Sequence, residues 1–235
     1  MKKKNGELPI PWGPVGYVTY KRTYSRKTTG NRSEEWADTV DRVVGACDTQ
    51  LGVGFSKEEE EDVREMMMSL KGTVAGRFLW QLGTKTVDKL GMPSLQNCAF
   101  VVVDEPVRPF TWAFEMLMLG SGVGFNIQRE NVYQLPKVKA KVDVVRLDEN
   151  DADFIVPDSR EGWTELLKRT LEASFTTGKG FTFATHLIRP AGAPIKGFGG
   201  TASGAEDLVR GMLDINKVIN TRAGMRLRPV DCLDL

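Results

Sequence analysis

The sequence is poor in the residues that hold metals and disulfides. Its 235 residues include one histidine and three cysteines, Cys47, Cys98 and Cys232. No two cysteines form a CxxC pair, whereas a structural zinc site needs four ligands at short spacing and a small secreted fold needs several paired cysteines. We therefore exclude a disulfide scaffold and predict no metal ligands.

The sequence also lacks an excess of charge of one sign and any long apolar run. Lysine and arginine number 32 and aspartate and glutamate 31, a net charge of +1, which argues against nucleic-acid binding through bulk charge. The longest apolar runs, such as 99–103, are far too short to span a bilayer. The basic start at 2–4 is followed by polar residues, unlike a signal peptide. We expect a cytoplasmic protein with no membrane and no nucleic-acid partner.

What the sequence does contain is the composition of a folded protein, with 41% hydrophobic and 9% aromatic residues. Residues 1–32 are rich in proline, glycine and basic side chains, which predicts an extended or turning lead-in, and the basic stretch at 21–26 within it is interpreted as a solvated arm. Helical periodicity follows at 34–46, and Ser56 with Glu59 forms a capping-box pattern. These features predict an N-terminal arm and helical segment over residues 1–90.

Residues 91–235 alternate between strand-like and helical patterns, which is typical of an α/β protein with a largely parallel sheet. The predicted elements are a strand at 99–103 buried on both faces, a helix at 110–119, strands at 142–147 and 180–187, a helix capped at Asp158–Glu161, and a helix capped by Ser203 with Glu206 whose apolar face is Leu208, Met212, Ile215 and Ile219. Pro229 could begin a last helix only a few residues before Leu235. This end is either a frayed C-terminus or, as the sharper hypothesis, the point from which the fold continues on another polypeptide.

The glycines at 120, 122 and 124 do not form a dinucleotide-binding motif. GxGxxG would need another glycine where Phe125 or Ile127 stands, and here a helix precedes the glycines and a strand follows them. Gly178-Lys179 is followed by Gly180 rather than Ser or Thr, which excludes a P-loop. Alternating glycines instead allow a ligand or a neighbouring strand to approach the backbone closely.

A few residues could carry chemistry. Cys98 stands at the head of a predicted strand, where it is either a small core residue or a functional thiol. Cys47, Cys232 and His186 are interpreted as structural. The helix start at 158–160 and the glycine-rich loop at 195–204 could both contact phosphates. For the second of these, an ordinary surface loop explains the composition equally well.

Seven stretches, taken together and in order, resemble the N-terminal part of adenosylcobalamin-dependent (class II) ribonucleotide reductases of the monomeric ribonucleoside-triphosphate type. They cover most of residues 17–235. The stretches are KRTYSR (21–26), EEWADTVDRVV (34–44), GRFLWQLGT (76–84), SLQNCAF (94–100), LMLGSGVGFNI (117–127), DSREGW (158–163) and RPAGAPIKGFGGTASG (189–204).

The resemblance implies an enzyme that reduces ribonucleoside triphosphates to deoxyribonucleotides by thiyl-radical chemistry, with adenosylcobalamin as cofactor and a thioredoxin-like dithiol as reductant. Residues 91–235 would form the first half of a ten-stranded α/β barrel, with an effector-linked helix and a specificity loop that respond to a deoxynucleotide effector. Cys98 would be one of the two reducing thiols. The implied substrate-binding residues are Asn97, Thr84, Gly122, Gly124 and Asn126, and the implied effector or specificity residues are Asp158, Ser159, Arg160, Lys196, Gly199 and Gly200. The sequence leaves open whether triphosphates or diphosphates are reduced.

Family members are much longer than this chain. The radical cysteine, the second reducing cysteine and most of the cobalamin site are therefore expected on a C-terminal reductase fragment, which would be an obligatory partner. Two alternatives remain open from the sequence. The chain could be a non-catalytic nucleotide-binding or regulatory remnant of the family, or a gene fragment that does not fold stably.

Overall fold

The chain divides into two compact units between Gln96 and Asn97. The computed structural model describes residues 12–28, 30, 32–195 and 200–235. Helices and strands are both present in those ranges, which confirms the mixed α/β class. In the same ranges, no helix combines the length and the apolar character that crossing a membrane requires.

The first unit is helical where it is described. Its helices are α1 (Gly13–Thr23), α2 (Trp36–Thr49), α3 (Lys57–Met68), α4 (Gly76–Gln81) and α5 (Lys85–Leu90), followed by a 3₁₀ turn (Met92–Leu95). The predicted capping box begins α3, since the Ser56 hydroxyl accepts the Glu59 N–H at 3.2 Å and the Glu59 carboxylate accepts the Ser56 N–H at 2.9 Å.

The basic stretch at 21–26 is not a solvated arm, so this prediction was wrong. Its first residues belong to α1, which has proline in its first turn. Tyr20 is only 3% exposed, and its ring lies 5.6 Å from the ring of Trp36. The Lys21 ammonium donates to the Glu34 carbonyl at 2.7 Å. Aromatic packing against α2 therefore orders a segment whose own composition favours a loop.

Arg42 of α2 forms a buried ion pair with Glu34 and hydrogen bonds with the end of α4. Arg42 Nε donates to Glu34 Oε1 at 2.7 Å and Arg42 Nη2 to Glu34 Oε2 at 2.9 Å. The same guanidinium donates to the carbonyls of Leu79 and Leu82. Burial alone would raise the pKa of Glu34, but the hydrogen bonds and charge of Arg42 outweigh it and hold that pKa below its ordinary value. Two of the matching stretches, 34–44 and 76–84, are thus fixed to each other.

The second unit carries the strands. Its elements are β1 (Cys98–Val102), α6 (Arg108–Met118), β2 (Gly122–Asn126), α7 (Arg129–Val132), β3 (Val144–Arg146), β4 (Phe154–Ile155), α8 (Arg160–Glu172), a π-helical turn (Ala173–Thr177), β5 (Phe181–Ala184), α9 (Glu206–Asn220) and α10 (Pro229–Leu233). The strands form a two-stranded sheet, β1–β2, and a three-stranded sheet in the order β3–β5–β4. Each of these strand pairings is parallel, as the alternation of strands and helices predicts.

The core of this unit lies between the three-stranded sheet and the amphipathic helices α8 and α9. Phe183 of β5, Leu166 and Leu171 of α8, and Ile219 of α9 are each 0% exposed. The predicted apolar face of α9 is buried as a whole, which confirms the helical periodicity read from the sequence.

Two predicted helix starts differ from the structure. Ser159 rather than Asp158 caps α8, since its hydroxyl accepts the Gly162 N–H at 3.0 Å. The residue that caps α9 is Ala205, which makes no side-chain capping bond. The predicted Ser203–Glu206 box is therefore wrong. Glu206 instead accepts a hydrogen bond from Arg146 at 2.8 Å, a long-range pair that competes with the local cap.

Candidate functional site

Cys98 is the first residue of β1 and lies directly opposite Gly122 of β2 in the parallel register. The Gly122 N–H donates to the Asn97 carbonyl at 2.8 Å, which fixes the beginnings of the two strands side by side. Three of the predicted site residues are therefore brought together by the strand pairing itself.

One face of this small sheet is open. Side chains two residues apart share a face of a strand, so Cys98 and Phe100 lie on the same face as Gly122 and Gly124. The Cys98 side chain is exposed, and Phe100 is 64% exposed. The prediction of a strand buried on both faces is wrong for this chain. Helix α6 packs against both strands, and Val103, at the end of the opposite face, is 3% exposed.

The three alternating glycines have different roles. Gly120, at φ 79°, ends α6 in a Schellman motif, because its N–H donates to Leu117 and the Ser121 N–H donates to Met116. Gly122 and Gly124 lie within β2 instead of a loop. A Cβ added to Gly124 would stand 3.2 Å from Phe100 Cδ2. The Phe100 ring thus lies against Gly124, whereas a Cβ at Gly122, opposite Cys98, would meet only the Asn97 carbonyl oxygen, at 3.7 Å.

Asn126 ends β2 and is engaged locally. Its Oδ1 accepts the Gln128 N–H at 2.8 Å, and its Nδ2 donates to Gln128 Oε1 at 3.2 Å. This Asx turn sets the direction in which the chain leaves the strand. The Asn126 side chain is two strand positions beyond Gly124, on the face that carries Cys98.

Thr84 belongs to the first unit, where it precedes α5. Its hydroxyl donates to the Gln81 carbonyl at 2.7 Å. Its own carbonyl accepts the Gln50 amide at 3.1 Å. Thr84 is thus held by backbone and side-chain bonds within the helical unit.

The three thiols differ in exposure. Cys98 is exposed, Cys47 is half-buried and Cys232 is buried. Burial, and then the charge of Asp231, raises the pKa of Cys232 to about 12. Burial, and then Asp48, also raises the pKa of Cys47. Cys98 is the thiol best placed for chemistry, because it is the exposed one of the three.

An open cleft of about 630 Å³ adjoins Phe100 beyond the end of β1. Its walls combine the aromatic rings of Phe100 and Trp112 with the charged side chains of Asp104, Glu105 and Arg108. None of the described residues that line it is a histidine or a cysteine, the side chains that suit a cobalt-type metal. The described ranges also hold no group of three or more His, Cys, Asp or Glu side chains arranged for a metal.

The predicted effector residues at the start of α8 are tied to the glycine-rich loop. Arg189 Nε donates to both carboxylate oxygens of Asp158, at 3.0 and 2.8 Å. Arg189 Nη1 donates to the Pro194 carbonyl at 3.2 Å. The Arg160 guanidinium lies 3.3 Å from a Glu161 carboxylate oxygen. The negative charge of Asp158 is therefore compensated.

The glycine-rich loop has an ordered, hairpin-like base, formed by residues 190–195 and 200–204 and called here the hairpin base. The Ile195 N–H donates to the Gly200 carbonyl at 3.0 Å and the Ala202 N–H to Ala193 at 2.8 Å. Gly200 has φ 83°, a conformation that favours glycine. The other two predicted residues of this loop, Lys196 and Gly199, lie outside the described residues.

Sequence reasoning missed two residues of these sites. Arg189 lies within the stretch 189–204 but pairs with Asp158, 31 positions earlier, and no local pattern indicates such a pair. The apolar run at 99–103 predicts that Phe100 is a core residue, whereas it is 64% exposed. The two-residue spacing from Cys98 was the available signal, because residues two apart in a strand lie on the same face.

Two family profiles match most of the chain. The profile described as "Ribonucleotide reductase alpha domain" matches residues 1–84. The profile described as "B12-dependent ribonucleotide reductase, insertion domain" matches residues 130–219. The fold and the sequence thus define a chain of the ribonucleotide reductase class.

Individual relatives narrow this class. The chain is 34% identical to the adenosylcobalamin-dependent ribonucleoside-triphosphate reductase of Lactobacillus gasseri, over 97% of this chain and 39% of that protein. It is 35% identical to the enzyme of the same name from Lactobacillus leichmannii, over 95% of this chain and 38% of that protein. A crystal structure of a B12-dependent (class II) ribonucleotide reductase superposes with a TM-score of 0.77 at 33% identity, covering 95% of this chain and 39% of that one.

The chain belongs to the B12-dependent, class II ribonucleotide reductase family and corresponds to the N-terminal part of its members. It spans about 39% of the length of the curated relatives it matches. The resemblance read from the seven sequence stretches is thereby confirmed.

Proposed function

We propose that this chain is the N-terminal part of a ribonucleotide reductase that converts ribonucleoside triphosphates to deoxyribonucleotides, and that Cys98 is one of its two reducing thiols. The curated relatives are named ribonucleoside-triphosphate reductases, and the chain shares their sequence over nearly its whole length. The activity requires the part that these relatives have and this chain does not span, supplied as a C-terminal reductase fragment.

The position of Cys98 carries this proposal. Its thiol lies on the open face of β1, directly opposite Gly122, with Gly124 two positions further along β2. A ribose could lie against the backbone of Gly122, because an added Cβ there would meet only the Asn97 carbonyl oxygen, at 3.7 Å. A pure effector-binding remnant would have no use for an exposed thiol at this point.

The chemistry assigned to Cys98 is a two-electron reduction. Cys98 and a second thiol on the complementary fragment lose two hydrogen atoms and become a disulfide. The ribose 2′-hydroxyl leaves as water, and a hydrogen replaces it at that carbon. A thioredoxin-like dithiol then reduces the disulfide by thiol exchange. Asn97, Thr84, Gly122, Gly124 and Asn126 are proposed to hold the substrate, so that the reacting carbon stays within contact of the thiol.

The relatives are named for adenosylcobalamin, which supplies radical chemistry when bound. The open cleft beside Phe100, of about 630 Å³, has the volume of a pocket for a drug-sized ligand, and adenosylcobalamin is a much larger molecule. We therefore propose that most of the cobalamin site belongs to the complementary fragment. Residues 1–90 would then be the arm and helical segment, and 91–235 the first part of a ten-stranded barrel.

The second unit also carries the proposed regulatory site. Asp158, Ser159 and Arg160 at the start of α8, with Lys196, Gly199 and Gly200 of the glycine-rich loop, are proposed to bind a deoxynucleotide effector. The ion pair of Asp158 with Arg189 supports this assignment, because a compensated carboxylate no longer repels phosphate from the helix start.

Reconstitution tests the proposal. The chain would be mixed with a polypeptide that carries the rest of a class II reductase, adenosylcobalamin, a dithiol and CTP or ATP, and deoxynucleotide formation measured. We expect product only in the mixture, and none with Cys98→Ser, whereas Cys47→Ser should keep most of the activity. Nucleotide binding by the chain with unchanged turnover in Cys98→Ser would instead support a regulatory remnant.

A further inference from the structure

The hairpin base and the start of α8 are joined by one side chain. Arg189 lies between them and uses two different edges of its guanidinium. Nε faces both oxygens of Asp158, at 3.0 and 2.8 Å, and Nη1 reaches the Pro194 carbonyl at 3.2 Å. Only a planar, forked cation can make both contacts at once.

Both ends of this contact rest on the three-stranded sheet. The Val156 N–H, two residues before Asp158, donates to the Ala184 carbonyl at 2.9 Å. Ile188, beside Arg189, is 9% exposed, and its N–H donates to Thr185 at 2.9 Å. Arg189 therefore projects from a fixed position toward a fixed carboxylate.

The hairpin base is held together by backbone contacts of its own. Gly204 packs closely on the chain before the hairpin, since an added Cβ would stand 3.2 Å from the Ala191 backbone nitrogen. Gly192 and Ala202 bond to each other across the base at 2.8 Å. The bonds within the hairpin give it its shape, but they do not set its orientation relative to α8. The Arg189–Pro194 bond supplies that orientation.

The ion pair is partly shielded from water. The Arg189 and Asp158 side chains are each 33% exposed, in contrast to the Arg210–Asp207 pair of α9, at 74% and 66%. Exposed pairs contribute little because water and salt screen them. A half-buried pair with a charge-assisted hydrogen bond to a carbonyl holds its geometry more firmly.

We propose that Arg189 is the positioning residue that holds the hairpin base on the amino end of α8. The functional consequence rests on the proposed effector site. A deoxynucleotide effector that contacts either segment would order both of them. In this way the effector would change the affinity of the loop for the substrate. Arg189 acts through Asp158 and Pro194 and needs no contact of its own with substrate.

Hydrogen exchange of the 235-residue chain, measured without any nucleotide, tests whether Arg189 holds the hairpin base on α8. Arg189→Gln should raise the exchange rates of the Ile195 and Ala202 amides about tenfold, because the hairpin base opens more often once its orientation is lost. Arg189→Lys should raise them less, since an ammonium can still pair with Asp158 but cannot make the forked contact. Arg210→Gln is the matched control and should leave both rates unchanged. Equal rates in Arg189→Gln and the native chain would overturn the proposal.

Nucleotide binding then separates this role from general stability. With dATP, dGTP, dCTP or dTTP added singly, Arg189→Gln should weaken the tightest complex about tenfold at an unchanged melting temperature, and Arg189→Lys should restore part of the affinity. An affinity that falls no more in Arg189→Gln than in Arg210→Gln would refute the positioning role. Absence of nucleotide binding by the native chain would overturn the proposed effector site. The exchange rates would still show whether Arg189 positions the hairpin base.

Discussion

At the scale of single residues, the three cysteines show how burial assigns roles that the sequence leaves open. Cys232 lies in the apolar core of the second unit at 5% exposure. Cys98 is exposed on an open strand face. A cysteine therefore serves as an unreactive core residue at position 232 and as an accessible thiol at position 98.

Thiol alkylation of the folded chain follows from this difference. With iodoacetamide at pH 8, Cys98 should react first, Cys47 more slowly, and Cys232 on the order of a hundredfold more slowly than Cys98, because its reaction requires opening of the core. Mass spectrometry of peptides sampled over time measures the three rates. In urea the rates should converge. Faster labelling of Cys232 than of Cys98 in the folded chain would contradict the burial described here.

The Glu34–Arg42 pair makes a prediction about stability. Glu34→Gln leaves Arg42 buried without its charge partner and should lower the free energy of unfolding by about 3 kcal/mol at pH 7. Glu60→Gln is the control, because Glu60 makes a more exposed pair with Arg64 at 2.9 Å and should cost about 0.5 kcal/mol or less. Urea unfolding followed by tryptophan fluorescence measures both. Equal losses would show that the pair does not stabilise the first unit.

The same pair predicts a pH dependence with a definite sign. The pKa of Glu34 is lowered from 4.5 in the folded chain, so its contribution is present above that value and is lost as the pH falls through the folded-state pKa. The native chain should therefore lose stability below about pH 4.5 more steeply than Glu34→Gln. Parallel curves of melting temperature against pH would contradict this account.

At the scale of helices and strands, local sequence patterns predict those features that depend on residues close together in the chain. The capping box of α3 and the apolar face of α9 could both be predicted, because each depends on residues within a few turns of one helix. The predicted Ser203–Glu206 box does not form, since Glu206 pairs with Arg146, 60 positions away. Arg189 escaped prediction for the same reason. The candidate effector site is formed by contacts between distant segments, and local periodicity does not predict such contacts.

Two glycines in helices make opposite predictions. A Cβ at Gly162 would stand 2.6 Å from the Pro157 carbonyl oxygen, whereas one at Gly211 would meet nothing within 4 Å. Gly162→Ala should therefore destabilise the second unit by about 2 kcal/mol through backbone strain at the start of α8. Gly211→Ala should stabilise it by about 0.5–1 kcal/mol, because alanine is the better helix former. Thermal unfolding of the two variants measures both effects, and a stabilising Gly162→Ala would show that α8 begins differently.

At the scale of the whole molecule, β1 and β2 combine an apolar sequence with an open face. The strand at 98–102 has the apolar sequence of a fully buried strand, yet Phe100 and Cys98 are exposed. The apolar sequence of this strand indicates burial on both faces, whereas one face of it is exposed in this chain. The complementary fragment proposed above would cover this face and so account for both the apolar sequence and the exposure.

The most direct test of the central claim is a single turnover without external reductant. The reconstituted enzyme, with its thiols prereduced and adenosylcobalamin and substrate added, should form about one deoxynucleotide per enzyme. Peptide mass spectrometry should then find Cys98 in a disulfide with a cysteine of the complementary fragment. Deoxynucleotide formed while Cys98 remains a free thiol, or formed equally by Cys98→Ser, would contradict the account.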